Sequence, residues 1–154
     1  MFLTVHAVSG LIIGKYTDNS ILAFIIGFLS HIILDAIPHD SIELEKWKKP
    51  EITKNLIITF LIEFPLITVI LIYFFIFKNF IFTPSIFWAL VGSMILDFLW
   101  GFYLLFPKLK FLKIFKTINH SSHKILYKKI YIPLQLWLPI QLFFLILFLI
   151  IFIK

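Results

Sequence analysis

Four stretches of this chain, residues 20–38, 55–77, 86–106 and 131–153, are each long and apolar enough to cross a lipid bilayer, which takes about 20 residues of helix. A fifth, residues 2–14, is apolar but shorter, and is expected to span partly or to lie against the second. With 61% hydrophobic residues and a mean hydropathy of +1.04 in a chain of 154, a soluble core could not hide this much apolar surface. The expected fold is a single all-α membrane domain covering residues 1–154, with four transmembrane helices, a short N-terminal helix and an interfacial amphipathic helix over 108–118. The start "MFLTVH" carries no positive charge and apolar segments recur to the last residue, so a cleaved signal peptide is not expected.

Punctuation agrees with these boundaries. Pro38 and Pro107 close helices, Pro50 precedes one, and Thr83-Pro84 reads as an N-cap followed by proline at the first helical position. Orientation follows from lysine, the only basic residue type apart from histidine. Loop 39–54 carries Lys46, Lys48, Lys49 and Lys54, and loop 107–130 carries Lys108, Lys110, Lys113, Lys116, Lys124, Lys128 and Lys129. The opposite side holds only Lys15, Lys78 and Lys154, so the positive-inside bias places both long loops in the cytoplasm and the chain in the cell (inner or plasma) membrane. The net charge of +6 is assigned to anionic lipid headgroups at these loops, and no nucleic acid partner is expected. In "KLKFLKIFKTI", residues 108–118, lysines interleave with Leu, Phe and Ile as in an interfacial helix with snorkelling side chains.

Against that background, "GFLSHIILDAIPHD" (27–40) sets two histidines and two aspartates where charge is most costly. An ionisable residue near the bilayer midplane costs roughly 2.5–3.5 kcal/mol even on insertion scales. By helical rise, His31, Glu63 and Asp97 fall at about 12–14 Å from the same face, with Asp35 one turn shallower and His6 near that surface. Gly27, Ser30, His31, Asp35 and Pro38 share one side of the second helix, and His6, Ser9, Gly10 and Gly14 one side of the first. These two small-residue stripes are expected to face each other. Ser93, Asp97, Trp100 and Gly101 line the fourth helix, and Asn55, Thr59 and Glu63 the third, which suggests one polar pocket open to the cytoplasm. The bland counterpart is interhelical hydrogen bonding with no ligand, but neutral side chains would do that at lower cost.

His31 and Asp35 at i, i+4 can share a metal ion, and His6 and Asp97 complete an inner set. "NHSSHK" adds His120 and His123, able to converge on one ion if helical, and His39 is a further candidate ligand. Glu63 and Asp40 are the candidate catalytic carboxylates, Glu63 as base or supporting group; His39 and Asp40 can equally be substrate contacts or a turn. Cysteine is absent, which excludes thiolate sites and disulfides. A His/carboxylate set suits Zn²⁺, with Mn²⁺ or Mg²⁺ as alternatives. No serine-nucleophile motif, phosphate-binding glycine loop or dinucleotide fingerprint is present.

"HAVSGLIIG" and "GFLSHIILDAIPHD" resemble the N-terminal histidine and the G-x-L-S-H-x-x-x-D segment of the YdjM/YbcI-like membrane-bound metal-dependent hydrolases. That group is distantly similar to the zinc-dependent phospholipase C/P1 nuclease superfamily. The resemblance covers residues 5–40 and implies His6, His31 and Asp35 as ligands, while the family's H-R-G-x-T-H-S segment is absent. "SMILDFLW" around Asp97 echoes "SHIILDAIP", with Ser93 where His31 stands. The expected function is metal-dependent hydrolysis of a phosphoester or lipid substrate at the cytoplasmic face. The alternative is a non-catalytic membrane protein, either a metal or proton carrier or a helix-packing partner in a complex. The far half of each helix is almost purely apolar, which argues against transport.

Overall fold

The computed structural model describes residues 1–37, 49–77, 80–124 and 134–153. Among these residues there are six α-helices and no strand: α1 (Leu3–Lys15), α2 (Ser20–Ala36), α3 (Lys49–Phe77), α4 (Pro84–Leu105), α5 (Lys113–Lys124) and α6 (Leu134–Ile153), with a single 3-10 turn, Lys110–Leu112, leading into α5.

Local chemistry sets the helix ends. The Asn19 side chain accepts from Ile21 N and Leu22 N at 2.9 and 3.0 Å, satisfying two otherwise unpaired donors at the start of α2. Thr83 does the same for Ile86 N, with Pro84 pre-set for the first turn of α4. Ile37 is extended (φ −71°, ψ 134°), as the residue before a proline prefers, so α2 stops at Ala36 rather than at 38. Helix α3 begins six residues before the expected 55. Pro50 lies within its first turn, where a missing N–H costs nothing. Expected segment 131–153 starts its helix at Leu134. The amphipathic segment is displaced too: residues 108–109 are not helical, and α5 runs on to Lys124, so "NHSSHK" is helix rather than loop.

Among the described residues, two helical segments are long and apolar enough to cross a membrane, Leu56–Phe74 and Pro84–Leu105, while Leu3–Lys15, Ser20–Ala36 and Leu138–Ile153 are apolar but shorter. On α3 the described apolar side chains mostly point outward, Leu61 at 69% exposure and Val69 at 62%; Glu63, Ile67 and Phe74 turn inward.

Helix directions can be read from contacts at the two ends. At one end, Ser85 Oγ donates to Asp18 O, Lys15 Nζ donates to Phe152 O, and Phe74 packs edge-on to Phe152 and Phe80. At the other, His31 and His6 meet Asp97, Thr4 meets Glu63, and Phe2 N donates to Gln141. Helices α1, α3 and α6 therefore run one way and α2 and α4 the other, and α2 and α4 finish at the same end.

Helix α4 is the hub. A Cβ on Gly10 would lie 2.6 Å from Ser93 Oγ and 3.0 Å from Ala89 O, one on Gly14 would collide with the Ile86 backbone, and one on Gly27 would lie 2.5 Å from Ala89 O. Gly92 returns the arrangement, its open side against Phe24 O of α2. The glycine stripes of α1 and α2 thus do not face each other as expected. Both press on α4, because α4 carries its own small residues Ala89, Gly92 and Ser93 at the crossing and lets two backbones approach at once.

Candidate metal centre

The ring of His6 on α1 stacks on that of His31 on α2, centroids 4.1 Å apart and planes within 20°. Both imidazoles present Nε2 to the same two carboxylates. Asp35 places Oδ1 3.1 Å from His6 Nε2 and Oδ2 3.1 Å from His31 Nε2. Asp97 places Oδ2 3.9 Å from His6 Nε2 and Oδ1 3.7 Å from His31 Nε2. Each carboxylate spans the histidine pair, one oxygen to each ring. The side chains of His6, His31 and Asp35 are 0–1% exposed, and Asp97 is 25% exposed. The Met1 nitrogen lies 2.5 Å from Asp35 Oδ1.

Tautomers follow from the acceptors. His31 Nδ1 lies 2.8 Å from Ser93 O, a carbonyl that can only accept, so Nδ1 carries the proton. In the neutral ring, His31 Nε2 then holds a lone pair, and it is buried without a hydrogen-bond partner among the described residues. A lone pair facing two carboxylate oxygens is repulsive unless a proton or a metal ion lies between them. His6 Nδ1 is likewise buried and unpaired among the described residues.

The distances suit a shared ion. Ligand atoms about 2.0–2.2 Å from a tetrahedral Zn²⁺ lie roughly 3.3–3.6 Å from one another; the Asp97 oxygens stand a few tenths of an ångström farther from the two Nε2 atoms, at 3.7 and 3.9 Å, and the Asp35 oxygens slightly nearer, at 3.1 Å. His6, His31 and Asp97 each offer one atom within 4.8 Å of the others, a group that could hold a metal ion. The His31 Nδ1–H donated to a backbone carbonyl is the usual outer support of a metal-bound imidazole.

Other expected site residues fall elsewhere. Glu63 is buried, and its Oε2 accepts from Thr4 N at 2.9 Å and from the Thr4 hydroxyl, at the start of α1. That carboxylate caps a helix, two residues before His6, and meets an α1 terminus that has no side-chain cap of its own. Thr59, expected on the same polar face, is exposed. His39 and Asp40 lie outside the described residues; His120 and His123 are three apart on the backbone of α5, their side chains also outside the description.

Two contributors, Gln141 and Asn119, were not anticipated, and Ser93 acts through an atom that was not. Gln141 accepts from Phe2 N, its lone amide in "PIQLFF" being the sequence signal that could have marked it. Asn119 Nδ2 lies 3.5 Å from Asp97 Oδ1, bringing α5 over the cluster. Ser93 contributes its backbone carbonyl, a role no side-chain pattern can reveal. Comparison of the chain with protein families, with curated proteins and with solved structures finds no match.

Proposed function

We propose that this chain is a multi-pass membrane protein that binds one divalent cation, Zn²⁺ first, between His6, His31 and Asp97, with Asp35 as bridging partner, and hydrolyses a phosphoester or lipid substrate at the cytoplasmic face. The observation that carries this reading is the buried His31 Nε2, its proton held on the other nitrogen by Ser93 O, aimed at two carboxylates. Three ligands leave a fourth position, on the side of the partly exposed Asp97, where substrate or water can enter. A cation bound there would polarise a phosphoryl or ester oxygen and acidify a water. The likeness of residues 5–40 to the YdjM/YbcI-like hydrolases supports the same assignment.

Four spans with the short α1 packed among them agree with the alternating helix directions, and the cluster sits at the end where α2 and α4 finish, each followed in sequence by a lysine-rich stretch. The positive-inside bias makes that end cytoplasmic. Glu63, as the cap on α1, fixes the height of His6 in this scheme rather than acting on substrate.

One observation favours a second reading. Asp35 reaches both imidazoles at 3.1 Å directly, so the four side chains can form a self-contained clamp between helices in a non-catalytic protein. Elemental analysis of protein purified without chelators, wild type beside His31→Ala, separates the two. The metal reading expects close to one equivalent of metal in the wild type and its loss in the variant. Metal absent from both supports the clamp.

A further inference from the structure

Beyond Asp97 the chain contains no acidic residue, and eight lysines follow it. Three of them, Lys108, Lys110 and Lys113, are exposed in and beside the 3-10 turn. Leu109, Phe111 and Ile114, interleaved with them, are 43%, 66% and 60% exposed, while Leu112 turns inward at 3%. Further along α5 the inward face becomes polar: Asn119 and Ser122 are buried, and Asn119 meets Asp97 at 3.5 Å. This element therefore turns polar groups toward the cluster and an apolar, cationic face away from it. That reverses the usual arrangement on a soluble protein, and the outward face matches an anionic bilayer surface, with apolar side chains for the acyl boundary and lysines for the headgroups.

We infer that segment 108–118 docks on anionic phospholipid and that this docking seats Asn119 against Asp97, so that headgroup charge governs entry to the centre. The second half rests on the metal reading; the first does not. Each lysine held at an anionic surface strengthens such attachment about fivefold.

A chain without cysteine makes the test direct. Ile114→Cys, labelled with an environment-sensitive fluorophore, is reconstituted as full chain in nanodiscs of phosphatidylcholine alone or with one quarter phosphatidylglycerol. Aqueous quenching should fall at least fivefold with phosphatidylglycerol, and Lys108→Gln, Lys110→Gln and Lys113→Gln together should abolish the difference. Equal quenching in both lipids overturns the docking. Protection that follows protein-to-nanodisc ratio instead of lipid charge also overturns it, and assigns the face to a second copy. In parallel, Zn²⁺ removal from the unlabelled protein by a chelator should be several-fold slower with phosphatidylglycerol, and the triple variant should lose that protection. Lipid-dependent labelling with lipid-independent Zn²⁺ release overturns the seating. If no Zn²⁺ binds in either lipid, the metal reading and the seating fall together, while the labelling still decides the docking.

Discussion

Gly27→Ala gives the sharpest test of how the centre is assembled. The added Cβ would lie 2.5 Å from Ala89 O, 3.2 Å from Ser93 N and 3.3 Å from Ala89 C, all backbone atoms of α4 that no rotamer change can move. Restoring ordinary contact requires α2 and α4 to separate by about 1 Å. His31 stands one turn along the same face, 3.7 Å from Asp97 across that interface. A separation of that size opens the pair from 3.7 Å to about 4.7 Å, far from the roughly 3.3–3.6 Å between ligands of one tetrahedral ion, and it stretches the 2.8 Å support from Ser93 O. Overpacking of this kind costs about 1–3 kcal/mol of stability, and loss of an orienting hydrogen bond lowers metal affinity about 10–100-fold. Zn²⁺ competition titration and a thermal midpoint in detergent, with and without metal, measure both. Gly101→Ala is the control on α4, since its Cβ would meet nothing within 4 Å. It should keep wild-type affinity and gain about 0.5–1 kcal/mol from the better helix former. Gly27→Ala binding Zn²⁺ as tightly as wild type, with an unchanged midpoint, would refute the idea that these glycines set the ligand spacing.

Zn²⁺ at 100 times its Kd should stabilise wild type by about 2.7 kcal/mol and Asp97→Asn by far less; an equal metal-induced rise in thermal midpoint would remove Asp97 from the ligand set. Glu63→Ala leaves Thr4 N buried without its acceptor and should cost about 1–3 kcal/mol, while bound metal stays at the wild-type ratio; loss of metal with an unchanged midpoint would instead make Glu63 part of the centre. Ser93→Ala should be nearly silent in metal content, because His31 uses the carbonyl and the hydroxyl donates only to Leu90 O in its own helix.

The helical class was legible because long Ile, Leu and Phe runs leave no other way to satisfy backbone polar groups in lipid. His6, His31 and Asp97 could be grouped from depth and helix face together: helical rise converts sequence distance into height, which put His31 and Asp97 at similar depth, and His6 joins them because its helix starts at that end. What periodicity cannot supply is the partner of a face. Gly10, Gly14 and Gly27 announce close approach but not to which helix, and the small residues of α4 that receive them carry no distinguishing period. Glu63 shows the same gap: its depth suited the cluster, but Thr4 and the uncapped start of α1 engage its Oε2. The boundary of the 108–118 segment was misjudged because lysine spacing continues smoothly from a 3-10 turn into α5.

The echo between "SHIILD" and "GSMILD" gains its meaning from the packing. Helices α2 and α4 run parallel, and each delivers an aspartate, Asp35 and Asp97, to the Nε2 atoms of the same imidazole pair. On sequence alone, Ser93 in place of a second histidine reads as a ligand lost from a symmetric site. Position 93 is wedged between two helices, however. Its Oγ would sit 2.6 Å from a Cβ on Gly10 of α1, and its backbone N 3.2 Å from one on Gly27 of α2. An imidazole there would push α1 off the bundle, and α1 is the helix that carries His6. The small residue on α4 and the histidine on α1 are thus two halves of one solution: α4 carries no second imidazole, admits α1 at close range, receives an imidazole from it, and uses the Ser93 backbone carbonyl to fix the tautomer of the imidazole on α2.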